Sequence, residues 1–357
     1  MSLRLRFEPR LRSVGAGEIV LRIAFGVLLA LAAGGVVIAM SGHDPVTAYQ
    51  ALFRGGFGSR MAFEGTLNKA VPIGLCALGI ALASRAQLTN IGGEGQFYFG
   101  AFTATAIGLA MPEATPGWIA IPAVLMAGII GGGLWALIAA VPKALFGVNE
   151  ILSTLMLNYI CMLWVGYLVR GPWADPMAYS FPYSPPIIDN AQMMPLVGSL
   201  HGGLLLLIVA TIGVALVDRG SRWGYELRVS GDAPEAARYG GISASAVIIS
   251  ALCFSGAMAG LAGAVELSTT GRLQLGLSPG YGFMGILVAW LAGGRALPIL
   301  FVSIFYAGLL NGGFSLQVSR VPSSISTILQ ALILIFVLAA VTLSQYRLRI
   351  YRSEAQS

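Results

Sequence analysis

Apolar runs long enough to cross about 30 Å of hydrocarbon recur along this chain, and no other feature restricts its fold as much. In lipid every backbone N–H and C=O must find a partner inside the protein, so a spanning run that is not part of a closed barrel has to be a helix. The runs fall near 20–40, 66–84, 92–111, 118–141, 150–170, 203–218, 243–265, 280–293, 296–314 and 324–343. The expectation is an all-α membrane protein of about ten transmembrane helices. Composition agrees: only 10% of the 357 residues are charged and mean hydropathy is +0.81, whereas soluble chains carry about 25% charged residues.

Basic residues set the orientation. If the N-terminus lies in the cytoplasm, 15 of the 21 Lys and Arg fall in inside loops and 6 in outside loops, so the positive-inside rule puts both termini in the cytoplasm. The net charge of +6 is then a signal of topology, since the basic residues are scattered over separate loops instead of forming a nucleic-acid patch. The first apolar run exceeds the 7–15 residues of a secretory signal and reads as an uncleaved span. Cys76, Cys161 and Cys253 lie within spans at no ligand-like spacing and read as packing residues, and His43 and His201 read as solvated loop residues.

The two halves share wording. AGIIGGGL at 127–134 matches AGLLNGGF at 307–314, STLM at 153–156 matches STIL at 326–329, and GEGQFYFG at 93–100 resembles GYGFMG at 280–285. Three matches in one order argue for an internal repeat. One transmembrane domain (1–357) then holds a repeat unit at about 66–170, a cytoplasmic loop at 219–242 and a second unit at about 243–343. Matching elements lie five spans apart, an odd number, so they cross in opposite senses, giving an inverted-topology repeat. Gly128 and Gly132, Gly308 and Gly312, and Gly256 and Gly260 form GxxxG pairs suited to close helix contact.

Polar residues inside the spans are candidate lining for a route across the membrane. Asn90, Glu94 and Gln96 lie in a Gly-interrupted stretch that reads as irregular backbone, tolerated only where protein or a water-filled cavity covers it. Glu94 faces the route or anchors a helix end through backbone N–H groups. Glu150, Ser153, Thr154 and Asn158 share one helical face, with Ser153, Thr154 and Asn158 read first as lining and second as interhelical hydrogen bonders. Asn149 and Glu150 sit at that helix start, where capping competes with function. Asn311 reads as a helix contact first and a lining residue second. The outer loop at 171–202 is rich in Pro and aromatics, including Trp173, Tyr179, Phe181 and Tyr183, and serves either an external partner or an interfacial aromatic belt.

The most charged stretch, RGSRWGYELRVSGDAPEAARYGG at 219–241, belongs in water or against another protein. Its second half reads as a short helix, with Asp232 as N-cap, Pro234 in the first turn, Glu235 at N3, and Gly240 and Gly241 as the stop. The chain has no GxxxxGK[ST] phosphate loop, HExxH or GxSxG, so it has no P-loop with which to hydrolyse ATP.

NIGGEGQFYFGAF (90–102), GVNEILSTLMLNYI (147–160) and LRVSGDAPEAARYGGI (227–242), on a ten-span inverted repeat, resemble the permease subunits of bacterial ABC importers. The likeness is to the branch for branched-chain amino acids, simple sugars and nucleosides, and within it to the longer nucleoside-type permease. By this resemblance Glu235, Ala236, Ala237 and Gly241 match the E-A-A-x-x-x-G pattern of a coupling helix, with Asp232 and Arg238 alongside, seated in a cleft of an ATPase subunit. The sequence departs from the longer consensus after Gly241, where Ser243 enters a span at once. The resemblance also implies partners: ABC ATPase subunits that bind the ATP and Mg, a second, related permease, and an extracytoplasmic solute-binding protein, in the bacterial inner membrane. The chain itself would carry no cofactor and no enzyme activity. Its Asn, Gln, Ser and Thr suit a neutral polar solute, and the resemblance implies nucleosides ahead of pentoses or other sugars. A rival reading is an ion-coupled transporter acting alone, for which Glu94, Glu150 or Glu266 would supply the ion site.

Overall fold

The computed structural model describes residues 3–9, 16–179, 181–318, 322–344 and 346–352; Arg10, Arg12 and Arg320 of the charge count lie outside them. The chain is mostly helical: α1 Ala16–Met40, α2 Pro45–Phe57, α3 Arg60–Ala83, α4 Gly93–Ala110, α5 Gly117–Phe146, α6 Glu150–Arg170, α7 Gly203–Gly220, α8 Arg222–Asp232, α9 Pro234–Tyr239, α10 Ala244–Thr270, α11 Tyr281–Leu291, α12 Ala296–Val318 and α13 Ser323–Ser344. Among the described residues four short strands, absent from the expectation, form two antiparallel pairs: β1 Leu3–Pro9 with β4 Tyr346–Arg352, and β2 Pro195–Val197 with β3 Leu200–His201.

Each expected span coincides with a helix. Among the described residues six helical segments are long and apolar enough to cross a membrane, and a seventh arises if α1 and α2, bent by 118°, count as one span. At 1.5 Å per residue the 11 residues of α11 rise only about 16 Å, half a bilayer core. The expected span at 280–293 is therefore a half-length helix preceded by an irregular segment.

By its internal contacts the chain divides into two compact units, Ser59–Gly308 and the pairing of Met1–Gly58 with Leu309–Ser357. In the second, Ile38, Ala48, Leu316, Ile325 and Leu329 form a core with Tyr49, Ala51 and Leu52 packed on it. Asp44 caps α2, accepting from Thr47 N at 2.9 Å.

The unit Ser59–Gly308 is organised on α3, whose residues from Ala70 to Ala83 are all buried. A helix apolar on every side has to be central, and α7, α10 and α11 surround it. Helix α10 in turn packs on α4 and α5. The GxxxG pairs of α5 and α10 meet there: a Cβ on Gly132 would lie 2.2 Å from the Gly256 carbonyl oxygen, and one on Gly260 would lie 2.1 Å from that of Gly128. Only hydrogen at these positions lets the two backbones touch, which is how helices gain dispersion contact where lipid offers no hydrophobic driving force.

The loop at 171–202 folds back on this unit instead of standing free. Asp175 pairs with Arg272 at 2.5 Å, and Ser184 N donates to the Leu273 carbonyl at 3.0 Å. Trp173 stacks on Phe102 at 5.2 Å, while Tyr179 and Phe181 are exposed. His201 is buried, not solvated: its ring lies against Gly203, whose N donates to its Nδ1 at 3.1 Å.

Candidate functional site

Between the 3-10 turn that ends α3 and the start of α4 the chain passes through a partly buried, non-helical stretch whose polar groups need partners. Asn90 supplies them. Its Oδ1 accepts from Gly92 N at 2.9 Å and Gln96 Nε2 at 3.2 Å, while its Nδ2 donates to Gln96 Oε1 and Ser255 Oγ, both at 2.8 Å. Asn158 reaches in from α6: Nδ2 donates to the Ile91 carbonyl at 2.9 Å, and Oδ1 accepts from Gly95 N at 2.8 Å. Gly95 is in the first turn of α4, whose own N-cap, Gly92, has no side chain to offer. Asn158 thus caps α4 from a different helix, satisfying one of the N–H groups that every helix start leaves open.

Glu94 does the same for α11. Its Oε2 accepts from Gly282 N at 2.8 Å, in the first turn of a helix that begins at a glycine with φ of 101° and no side-chain cap. Ser278, which also bonds the Glu94 carboxylate, accepts from Tyr281 N at 2.8 Å. A carboxylate at a helix N-terminus meets the positive end of the helix dipole. The beginnings of α4 and α11 touch here: a Cβ on Gly282 would lie 2.2 Å from Glu94 N. Asn90, Glu94, Gln96, Thr154 and Asn158 are each at most 2% exposed.

At the start of α6, Asn149 is the N-cap, accepting from Ile151 N at 2.9 Å. Glu150 pairs with Lys143 of α5 at 2.7 Å. Ser153 Oγ and Thr154 Oγ1 bond carbonyls one turn back in their own helix, to Asn149 at 3.0 Å and Glu150 at 2.6 Å. Asn311, in the other unit, donates to the Gly55 carbonyl at 3.1 Å. Among the described residues no three His, Cys, Asp or Glu side chains converge to hold a metal ion.

The charged stretch is two helices, α8 and α9. Ser221 caps α8, accepting from Gly224 N at 2.9 Å. Asp232 ends α8 and does not cap α9; Ala233 holds that place, which puts Pro234 at N1 and Glu235 at N2. The reason is that α8 runs almost to the proline, so Asp232 is spent as helix before the chain breaks. Gly241 takes φ of +77°, and with Gly241 N to Arg238 O at 3.1 Å and Ile242 N to Ala237 O at 3.0 Å it closes α9 in a Schellman stop. Ala237 is buried; Asp232, Glu235, Ala236, Arg238 and Gly241 are exposed.

Residues 62–338 match the profile of the family described as branched-chain amino acid transport system/permease component. The chain belongs to this permease family. It is 33% identical to the glucose ABC transporter permease protein of Haloferax volcanii, across 98% of this chain and 95% of that one. It is 32% identical to the guanosine ABC transporter permease protein of Bacillus subtilis, across 87% and 90%, and 29% identical to a nucleoside ABC transporter permease protein of Lactococcus lactis, across 88% of each. No solved structure matches it. The chain is a multi-pass membrane permease and a non-catalytic subunit; in ABC transporters a separate ATPase hydrolyses ATP. Family membership removes the reading of an ion-coupled transporter working alone.

In the permease the structure brings Asn90, Glu94, Gln96, Thr154 and Asn158 into one buried region, with Asn149, Glu150 and Ser153 leading up to it. Asn311 belongs to the other unit. Sequence reasoning missed Ser255, Ser278, Gly282 and Asn158's role on α4, because each partner is between 63 and 188 positions away along the chain. The match of GEGQFYFG to GYGFMG was a signal that the two glycine-rich helix starts belong together. Asp218, Arg85 and Arg228 share an ion cluster that no sequence signal brings together, although Arg228 lies in the LRVSGDAPEAARYGGI stretch.

Proposed function

We propose that this chain is the permease subunit of an ATP-driven importer and forms half of a translocation route for nucleosides. The observation that carries the reading is the meeting of α4 and α11 at their glycine-rich N-termini, each helix start capped by a side chain from another helix. In transporters built from inverted repeats, discontinuous helices with N-termini at the repeat interface mark the substrate region. Ten crossings with both termini in the cytoplasm complete this arrangement, α11 and the irregular segment before it making one of them. The cell inner membrane is its location.

In this reading Asn90, Glu94, Gln96, Asn149, Glu150, Ser153, Thr154, Asn158 and Asn311 are wall residues. Asn90 and Gln96 bond each other and Asn158 bonds the backbone at Ile91 and Gly95; these contacts hold the wall shut, so a solute meets them when the α4–α11 contact opens. Amide and hydroxyl groups offer donors and acceptors without fixed charge, which suits the base and ribose of a nucleoside. The residues Asp232, Glu235, Ala236, Ala237, Arg238 and Gly241 couple the chain to the ATPase, since α9 presents an exposed face from a rigidly closed helix. The partners are the ATPase subunits that hold ATP and Mg, a second permease of related sequence, and an extracytoplasmic binding protein. A second reading, a permease for pentoses or other simple sugars, is favoured by the likeness to the Haloferax glucose permease.

Uptake of labelled nucleosides and sugars separates the two, in cells expressing the full operon with this subunit deleted or restored. Nucleoside uptake should disappear on deletion and return on restoration. Unchanged nucleoside uptake with loss of sugar uptake would replace the first reading by the second.

A further inference from the structure

Asp218, in the last turn of α7, accepts two arginines. Its Oδ2 takes Arg85 Nη2 at 2.9 Å and its Oδ1 takes Arg228 Nη1 at 3.1 Å. Arg85 lies in the 3-10 turn that ends α3, and Arg228 lies on α8. The same Arg85 Nη2 donates to the Gly294 carbonyl at 2.9 Å, just past the end of α11. One carboxylate therefore ties α3, α7 and α8 together, and the guanidinium it holds also grips the tail of α11. A second contact is independent of charge: a Cβ on Gly231 of α8 would lie 2.1 Å from the Arg85 carbonyl oxygen, so α8 rests backbone to backbone on the end of α3.

Helix α11 is consequently held at both ends. Arg85 holds its tail at Gly294, and Glu94 holds its first turn at Gly282, where α11 meets α4. A short rod pinned at two points transmits a displacement of one end to the other. We propose that Asp218 is the positioning residue that passes movement of α8 and α9 to α11, and so to the α4–α11 contact. The proposal rests on the reading of α9 as the helix seated on the ATPase. Helix α9 has six residues, with only Ala237 buried, so it has little grip of its own on the membrane helices. The grip belongs to α8, through Arg228 and Gly231.

The test uses the full transporter expressed from its operon, purified and reconstituted in liposomes, with ATP hydrolysis and nucleoside uptake measured on the same vesicles. Asp218→Asn should keep the ATPase subunits bound and keep hydrolysing ATP, while uptake per ATP falls by about tenfold, within the range seen for residues that carry coupling. Asp218→Glu should recover at least half of the ratio, since it retains the charge, and a merely structural role would change yield and melting temperature but not this ratio. Should Asp218→Asn fail to assemble, Arg228→Gln, whose side chain is 35% exposed, carries the same expectation. Wild-type uptake per ATP in either assembled variant would overturn the proposal while leaving the ATPase-coupled reading intact. A wild-type chain that holds no ATPase subunit would overturn both.

Discussion

Replacing Glu94 separates an anchor from a group that handles the solute. The Glu94 carboxylate accepts the Gly282 N–H at 2.8 Å and bonds the Ser278 hydroxyl, in a site that is 2% exposed. Glu94→Ala leaves that N–H without an acceptor in a water-poor interior, at a cost of about 1–3 kcal/mol. It also removes a negative charge from the start of α11, worth a further ~0.3–2 kcal/mol. Glu94→Gln keeps an acceptor oxygen in nearly the same place and gives up only the charge, so its cost stays within that second range. The expected gap between the two variants is about 1–3 kcal/mol, which thermal unfolding in detergent registers as a difference of several degrees. Melting curves and reconstituted uptake should be measured on the same preparations. The anchor account requires Glu94→Gln to melt close to wild type and to transport, with Glu94→Ala clearly less stable. Equal stability of Glu94→Ala and wild type would refute it. A Glu94→Gln protein that folds normally but does not transport would show that the charge itself serves the route.

Gly260→Ala should cost about 1–3 kcal/mol through overpacking, because the new methyl would lie 2.1 Å from the Gly128 carbonyl oxygen, whereas Gly213→Ala, with no atom within 4 Å, should be tolerated; equal melting temperatures for the two would contradict the backbone contact of α5 and α10. Glu235→Lys should leave membrane insertion and stability within about 0.5 kcal/mol of wild type, since the site is exposed, yet lose the ATPase or uncouple transport by reversing a charge at a matched interface; normal uptake by a well-expressed variant would count against the coupling role. Burial pushes the His201 imidazole below its usual value of 6.5. The unfolded chain therefore takes up a proton near that pH which the folded chain refuses, and stability should fall as pH drops below about 6.5, by at most ~1.4 kcal/mol per unit. His201→Gln should flatten the dependence in melts between pH 8 and 5, and an unchanged slope would locate the effect elsewhere.

In the proposed function the fold's discontinuities matter more than its spans. A continuous helix satisfies its own backbone and needs nothing from its neighbours, whereas the breaks before α4 and α11 have to borrow Asn158 and Glu94 from other helices. Borrowed caps connect elements that are far apart in sequence, and a contact held by a few hydrogen bonds can open and close as one step. That property is what an alternating-access permease requires of its wall.

Much of this protein is legible in its sequence. Apolar length and the scarcity of charge determine a helical membrane protein, because hydrocarbon admits no other way of pairing an open backbone segment. GxxxG spacing determined which faces of α5 and α10 could approach, since residues four apart share a helix face whatever surrounds them. Asn149 as the cap of α6 and Gly241 as the stop of α9 were equally local, each acting on groups within a few residues. The same local pattern points to Asp232 as a cap and there it misleads, because α8 extends through it. Tertiary structure alone decided that Glu94 serves α11 instead of its own helix, that Asn158 caps α4, that His201 is buried, and that Asp218 joins three helices. Each of these depends on which group fills an unsatisfied bond through space, and a hydrogen bond reaches about 3 Å regardless of how many residues of chain lie between its ends.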